Sequence, residues 1–328
     1  MKPTLVSGMK PEGHLHLGNY LGTLKNLVEL QNSGKYQCYF FVADLHSLTE
    51  DFDPKKKYGE ITELAAEYLA AGLDPSKSVI FLQSAIPAHS ELEGLLFAIT
   101  PEGELRRMTQ YKDKVVVKKQ SANIGLLLYP ALMTADILLY DAEFVPVGED
   151  QLQHLELTRT LARKFNSRFG KTFVEPKPLT TKTSRVMRLT DPLKKMSKSQ
   201  SEGCIFLDDS PEEIKKKISR AVTDSGSEIK YDPEKKPGLS NLIGIYTTLK
   251  GMDVKAAEKA FSGKSYAEFK SALVELVSNY FSNFREQKKS LLAKPQSLVA
   301  ILNAGSEKAR AVAEKKIAEV KQKIGIAI

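Results

Sequence analysis

Residues 36–44, Tyr36-Gln37-Cys38-Tyr39-Phe40-Phe41-Val42-Ala43-Asp44, are apolar almost without a break and end on a carboxylate. A strand with one wet face alternates apolar and polar residues. An unbroken run is buried on both faces, as in a parallel sheet covered by helices on each side. Ser78-Val79-Ile80-Phe81-Leu82 and Phe144-Val145-Pro146-Val147-Gly148 read the same way, and they finish in Gln83-Ser84 and Glu149-Asp150-Gln151. Between them, Ile61, Leu64, Ala65, Tyr68 and Leu69 mark one amphipathic helix, and Leu155, Leu157, Leu161 and Phe165 another. Strand and helix therefore alternate, which predicts an α/β fold: a doubly wound, Rossmann-like parallel sheet. Ligands of such sheets lie beyond the carboxyl ends of the strands. That makes His46, just past the first long run, a site candidate, although a satisfied structural histidine fits the position as well.

Thr4-Leu5-Val6 predicts a short first strand. A turn with Gly8, Pro11 and Gly13 follows, and from Leu17 apolar residues recur at helical spacing. Strand, glycine-rich loop and helix start make the usual cradle for a phosphate or ribose, with His16, Gly18 and Asn19 on the first turn. An ordinary βα turn with capping residues has the same pattern. Far along the chain, Lys194-Lys195-Met196-Ser197-Lys198-Ser199 gathers three lysines and two hydroxyls. It closes a stretch, 171–200, in which eight Lys/Arg face only Glu175 and Asp191. Such an excess attracts phosphate, in a nucleotide or in a nucleic-acid backbone, and a solvated charge run has the same composition. A third anomaly is Asp136 inside the apolar run 126–140, on one helical face with Tyr129 and Met133. A buried carboxylate is costly unless it is hydrogen-bonded, so Asp136 has a structural donor or awaits one from a ligand.

After Asp208-Asp209-Ser210-Pro211 the pattern turns helical, over roughly 211–221, 239–250, 253–261, 266–288, 295–303 and 306–324. This places a boundary near 205: a catalytic unit over 1–205, with an inserted helical segment at about 105–143, and an all-α unit over 206–328. Residues 166–200 read as loop. At 328 residues, 42% hydrophobic and 27% charged, the composition is that of a soluble globular protein. No apolar run approaches the roughly 20 residues of a membrane span, and no secretory h-region opens the chain. Cys38 and Cys204 are far apart and form no metal or disulfide pattern, with Cys38 expected to be a buried thiol. A cytoplasmic protein is expected. The net charge of +8 is compatible with a phosphate-bearing partner.

Taken together, Gly8-x-x-Pro11-x-Gly13-x-Leu15-His16-Leu17-Gly18-Asn19-Tyr20 and Lys195-Met196-Ser197-Lys198-Ser199 resemble the two signatures of class I aminoacyl-tRNA synthetases. Three interior strings resemble the bacterial tryptophanyl enzymes of that family: Tyr129-Pro130-x-Leu132-Met133-x-Ala135-Asp136, the run from Val145 to His154, and Lys236-Pro237-Gly238-x-Ser240-Asn241-Leu242. The resemblance implies activation of L-tryptophan by ATP with Mg²⁺, transfer to tRNA(Trp), a helical anticodon-binding domain, a homodimer, and no protein metal site. It implies catalytic roles for Lys195, Lys198 and, on the inserted loop, Lys114. ATP would lie against Lys10, His16, Gly18, Asn19, Gly148, Asp150, Met196, Ser197 and Ser199. For the amino acid, Asp136 would accept the indole N–H, Tyr129 and Gln151 would hold the α-ammonium, Met133 and Val147 would flank the ring, and Gly8 and His46 would complete the pocket. Tyrosyl-tRNA synthetases share the fold and both signatures but usually carry Gln where this chain has Met133. Asn19 replaces the final His of the His-x-Gly-His pattern, a variant the family tolerates. Lys10 stands where several members carry Gln, its charge facing either the triphosphate or solvent.

Overall fold

The computed structural model describes residues 2–49, 51–113, 123–180, 185–197 and 201–327. β1 (Thr4–Met9) turns at Gly13, where φ is +65°, into α1 (Leu17–Asn19), which continues through a π turn (Tyr20–Leu24) into α2 (Lys25–Asn32). β2 (Gln37–Val42), α3 (Pro54–Ala70) and β3 (Ser78–Leu82) follow, then α4 (Ala88–Leu96), α5 (Glu102–Arg106), α6 (Thr109–Lys112) and α7 (Ile124–Leu138). β4 (Phe144–Val147), α8 (Leu152–Phe169) and β5 (Lys177–Thr180) complete the sheet. The rest is helical: α9 (Pro211–Ser219), α10 (Pro237–Lys250), α11 (Val254–Ala260), α12 (Tyr266–Tyr280), α13 (Ser282–Leu292) and α14 (Pro295–Ile324).

The strand order is β3-β2-β1-β4-β5, with every pair parallel. The unbroken apolar runs are buried on both faces, as expected. Leu5, Cys38, Phe40, Val42 and Ile80 pack with Leu64 and Tyr68 of α3 on one side. Val6, Tyr39, Phe41, Phe81 and Val145 pack with Leu92 of α4, Leu138 of α7, Leu155 of α8 and Ala309 of α14 on the other. A one-residue slip of any strand would exchange these sets, so burial specifies the register. The chain builds outward from β1 to β2 and β3, then returns to add β4 and β5 on the other side. The switch point therefore falls between the carboxyl ends of β1 and β4, where a crevice is expected.

Three local expectations change. The helix expected to break near 304 is continuous, and Gly305 is a contact position rather than a stop. A Cβ there would lie 1.8 Å from the Ile80 carbonyl oxygen, so only glycine lets α14 lie against edge strand β3. The helix expected over 266–288 is instead two, joined at the buried Phe281. The stretch 166–200 contains β5, an edge strand that tolerates Pro178, and a short antiparallel pairing of Met187 with Lys195. Among the described residues no helix is long and apolar enough to cross a membrane.

Candidate active site

A cavity of about 700 Å³ opens at the switch point, within the roughly 300–1,000 Å³ of ordinary ligand sites. Ser7, Gly8 and Met9 at the end of β1 form one wall, and Val147 and Gly148 at the end of β4 form another. Lys10, His16, Gly18, Asn19, His46, Tyr129, Met133, Asp136, Asp150, Gln151 and Lys195 also line it. Met196 is buried beside it and Ser197 follows. Lys114, Lys198 and Ser199 lie outside the described residues. Lys10 faces the cavity and also approaches Glu12 at 3.5 Å.

The two signature segments meet here. The ring of His16 caps α1: its Nδ1 accepts from the Asn19 N–H at 3.1 Å, while the His16 N–H donates to Asn19 Oδ1 at 3.2 Å. A ring that accepts through Nδ1 carries its proton on Nε2. Leu17 N–H donates to the Ile205 carbonyl at 2.8 Å and Leu207 N–H to the Leu15 carbonyl at 3.0 Å, so the loop pairs with the chain just beyond the lysine cluster. A Cβ on Gly18 would stand 3.0 Å from His16 Nδ1 and 3.6 Å from the Met196 Cβ, so this glycine sits where the two signatures touch.

Behind the loop lies an ionic cluster. His14, Glu63, Glu67 and Asp208 bring ligand-type atoms within 4.8 Å of one another. Their cation is an ammonium: Lys288 of α13 reaches Glu63 at 2.9 Å, Glu67 at 2.8 Å and Asp208 at 2.7 Å. Glu67 also accepts the Leu15 N–H at 3.2 Å, which ties the loop to the cluster. Burial works against ionised Asp208, but hydrogen bonds from His14 and Lys288 prevail and hold it well below the usual carboxylate range.

At the deep end, Asp136 has the structural donors that its burial demands. Oδ1 accepts from Gln83 Nε2 at 2.7 Å and His89 Nδ1 at 2.6 Å, and Oδ2 from His46 Nε2 at 2.8 Å. Burial alone would raise its pKa, but the bonds from His46 and His89 outweigh it and hold it at about 2. His89 donates through Nδ1, so its Nε2 accepts the Tyr140 hydroxyl at 2.8 Å. Tyr129 donates to Gln110 Oε1 at 3.1 Å and meets His154 Nε2 at 2.8 Å. Burial pushes His154 down to about 4, so the ring is neutral. Its buried Nδ1 has no partner among the described residues, which favours the tautomer with the proton on Nε2, donating to Tyr129. Gln151 Nε2 donates to Asp150 at 3.0 Å.

The sequence reading did not single out Gln83, His89, Gln110, His154 or Arg185. Gln83 had a signal, since it ends an apolar strand, and His154 closes a motif string. His89 had none: it is one histidine on the buried face of an amphipathic helix, visible only once Asp136 needs partners.

The chain matches the family model described as tRNA synthetases class I (W and Y) over residues 1–282. It is 47% identical to the tryptophan–tRNA ligase of Caldanaerobacter subterraneus subsp. tengcongensis, covering 98% of each chain. It superimposes on the tryptophanyl-tRNA synthetase of Mycoplasma pneumoniae with a TM-score of 0.89 at 39% identity, covering 100% of this chain and 99% of that one. Against the Campylobacter jejuni tryptophanyl-tRNA synthetase complexed with ADP and tryptophan, the TM-score is 0.85 at 38% identity, with 98% and 99% covered. A cavity at the switch point walled by both signature segments, and likeness along the whole chain, lead to one assignment: this protein belongs to the class I tRNA synthetase family for tryptophan and tyrosine.

Proposed function

We propose that this chain is a tryptophan–tRNA ligase: it joins L-tryptophan to the α-phosphate of ATP, releases pyrophosphate, and passes the tryptophanyl group to tRNA(Trp), releasing AMP. The observation that carries this reading is the switch-point cavity, with both signature segments at its mouth and the Asp136 carboxylate at its depth. The attacking carboxylate of tryptophan is ionised at pH 7, so the chemistry requires positioning and charge stabilisation rather than a strong base.

A carboxylate has about four acceptor positions. Gln83, His89 and His46 use three, which leaves one for an indole N–H. Met133 and Val147, with Gly8 behind them, suit an apolar ring, and a thioether packs well against an aromatic face. Tyr129, with its own proton given to Gln110 and one lone pair taken by His154, retains an acceptor for the α-ammonium, and Gln151 offers another. At the mouth, His16, Gly18, Asn19, Gly148 and Asp150 hold the nucleotide, with Met196 and Ser197 beneath it. Lys195, with Lys198, Lys114 and Lys10, neutralises charge growing on the pyrophosphate.

The cationic lining of Lys10, Arg185 and Lys195 fits a triphosphate. Mg²⁺, bound to phosphate oxygens, would add charge neutralisation. The one acidic cluster among the described residues is already served by Lys288. In the same reading, residues 1–205 are the catalytic unit, with 105–143 inserted, and residues 206–328 are the anticodon-binding unit of a cytoplasmic homodimer.

ATP–pyrophosphate exchange measured across the twenty amino acids tests this. Tryptophan alone should drive it, and Asp136→Asn, which sets an amide against three donors, should lower kcat/KM about 100-fold. Exchange driven by tyrosine would overturn the reading.

A further inference from the structure

The string Lys236-Pro237-Gly238-Leu239-Ser240-Asn241-Leu242 opens α10, and none of its residues lines the cavity. Its role emerges from the backbone of the lysine segment. Arg188 N–H donates to the Lys194 carbonyl at 2.9 Å and Met196 N–H to the Val186 carbonyl at 3.0 Å, with Met187 opposite Lys195. In an antiparallel pair, alternate residues turn their N–H and C=O toward the partner strand or away from it. The Val186 carbonyl and the Arg188 N–H are spent on the lysine strand, so Met187 between them turns both of its groups outward, where a third strand would pair.

Asn241 takes the place of that strand. Its Oδ1 accepts the Met187 N–H at 2.9 Å, and its Nδ2 donates to the Met187 carbonyl at 3.0 Å. A carboxamide is a peptide group in miniature, and the fixed N–H of Met187 decides which way it faces. The helix that carries it is itself anchored. A Cβ on Gly238 would lie 2.1 Å from the Val222 carbonyl oxygen, so α10 presses directly on that backbone. Val222 N–H donates to the Leu189 carbonyl at 2.8 Å, and Ser240 Oγ accepts the Asp232 N–H at 2.8 Å. A firmly seated helix start thus grips the strand whose partner presents Lys195 to the cavity.

We propose that Asn241 is a positioning residue for the lysine segment: by pairing both backbone groups of Met187, it sets where Lys195 stands over the cavity. Any shift of α10 relative to the sheet is then transmitted to Lys195. The catalytic part of this inference rests on the ligase reading above.

Two variants test it. Asn241→Ala removes both bonds. Asn241→Asp keeps the size and the acceptor but sets an oxygen against the Met187 carbonyl. Hydrogen–deuterium exchange of peptides covering 186–197 needs no activity, and both variants should exchange there about 10-fold faster at an unchanged melting temperature. In ATP–pyrophosphate exchange, kcat should fall about 10- to 100-fold, as misplacement of a catalytic group does, while the KM for tryptophan stays put. In a Lys195→Ala background, Asn241→Ala should cost less than about 2-fold, because its effect passes through Lys195. Unchanged hydrogen exchange, or a full additional loss in that background, would overturn the inference. If the wild-type protein shows no tryptophan-dependent exchange, the ligase reading falls, and the hydrogen-exchange result alone decides whether Asn241 holds this segment.

Discussion

Lys288→Met offers the sharpest test of how the helical part supports the signature loop. The substitution keeps an apolar stem of similar length and removes an ammonium that reaches three carboxylates. Glu67 is fully buried, and its Oε2 already has no partner among the described residues; without Lys288 its Oε1 retains the Leu15 N–H. Breaking a buried ion pair by deleting one partner costs about 3–5 kcal/mol. The side chains of Glu63 and Asp208 are 21% and 28% exposed, so water screens them and the lower end, about 3 kcal/mol, applies.

The deficit should depend on pH. In the wild type, burial pushes the Glu67 carboxyl up while Lys288 pulls it down. With Lys288 gone, burial is opposed only by the hydrogen bond from the Leu15 N–H, so the carboxyl moves further up and the folded variant holds a proton that the unfolded chain releases. A folded-state pKa raised in this way makes stability fall as pH rises between the two values. His14, raised by its hydrogen bond to Asp208, acts in the same direction. Between pH 7 and pH 5 the variant should therefore regain up to about 1.4 kcal/mol per pH unit. Urea unfolding of both proteins at the two pH values measures this. A deficit below about 1 kcal/mol at pH 7, or a larger deficit at pH 5, would refute the reasoning. The KM for ATP should rise as well, since Glu67 anchors the loop through Leu15.

Two further outcomes follow from local geometry. His154 is held near 4 in the folded protein, so below its unfolded value of about 6.5 the unfolded chain takes up the proton first and stability falls with acidification, by up to about 3 kcal/mol across the window. His154→Gln should flatten that slope, and an NMR titration showing this imidazole protonating near its ordinary pKa would contradict the assignment. Gly305→Ala places a Cβ 1.8 Å from the Ile80 carbonyl oxygen, a backbone atom that cannot swing aside. It should cost about 1–3 kcal/mol or more, read as a lower melting temperature, and an unchanged melting temperature would mean that α14 does not press on β3 as described.

Some of this molecule is written locally. An apolar run without alternation, such as 36–44, must be buried on both faces, and with helices between the runs little but a parallel α/β sheet satisfies it. The signature segments declare themselves through glycine, lysine and hydroxyl spacing, and Asp136 is conspicuous because a carboxylate in an apolar helix needs donors. Which donors is another matter. Gln83, His89 and His46 follow β3, sit on α4 and follow β2, and they converge on Asp136 only because strand order and register place those ends side by side. Lys288 likewise reads as an ordinary helix-surface residue, and Asn241 as a member of a motif string with no role attached, until α13 and α10 dock against the loops they hold. Periodicity along a chain reports which face of an element is buried, because that depends only on neighbours a few residues away. What the buried face meets depends on crossovers and packing among distant segments, so the site's chemistry was legible early, whereas its support came from the folded arrangement alone.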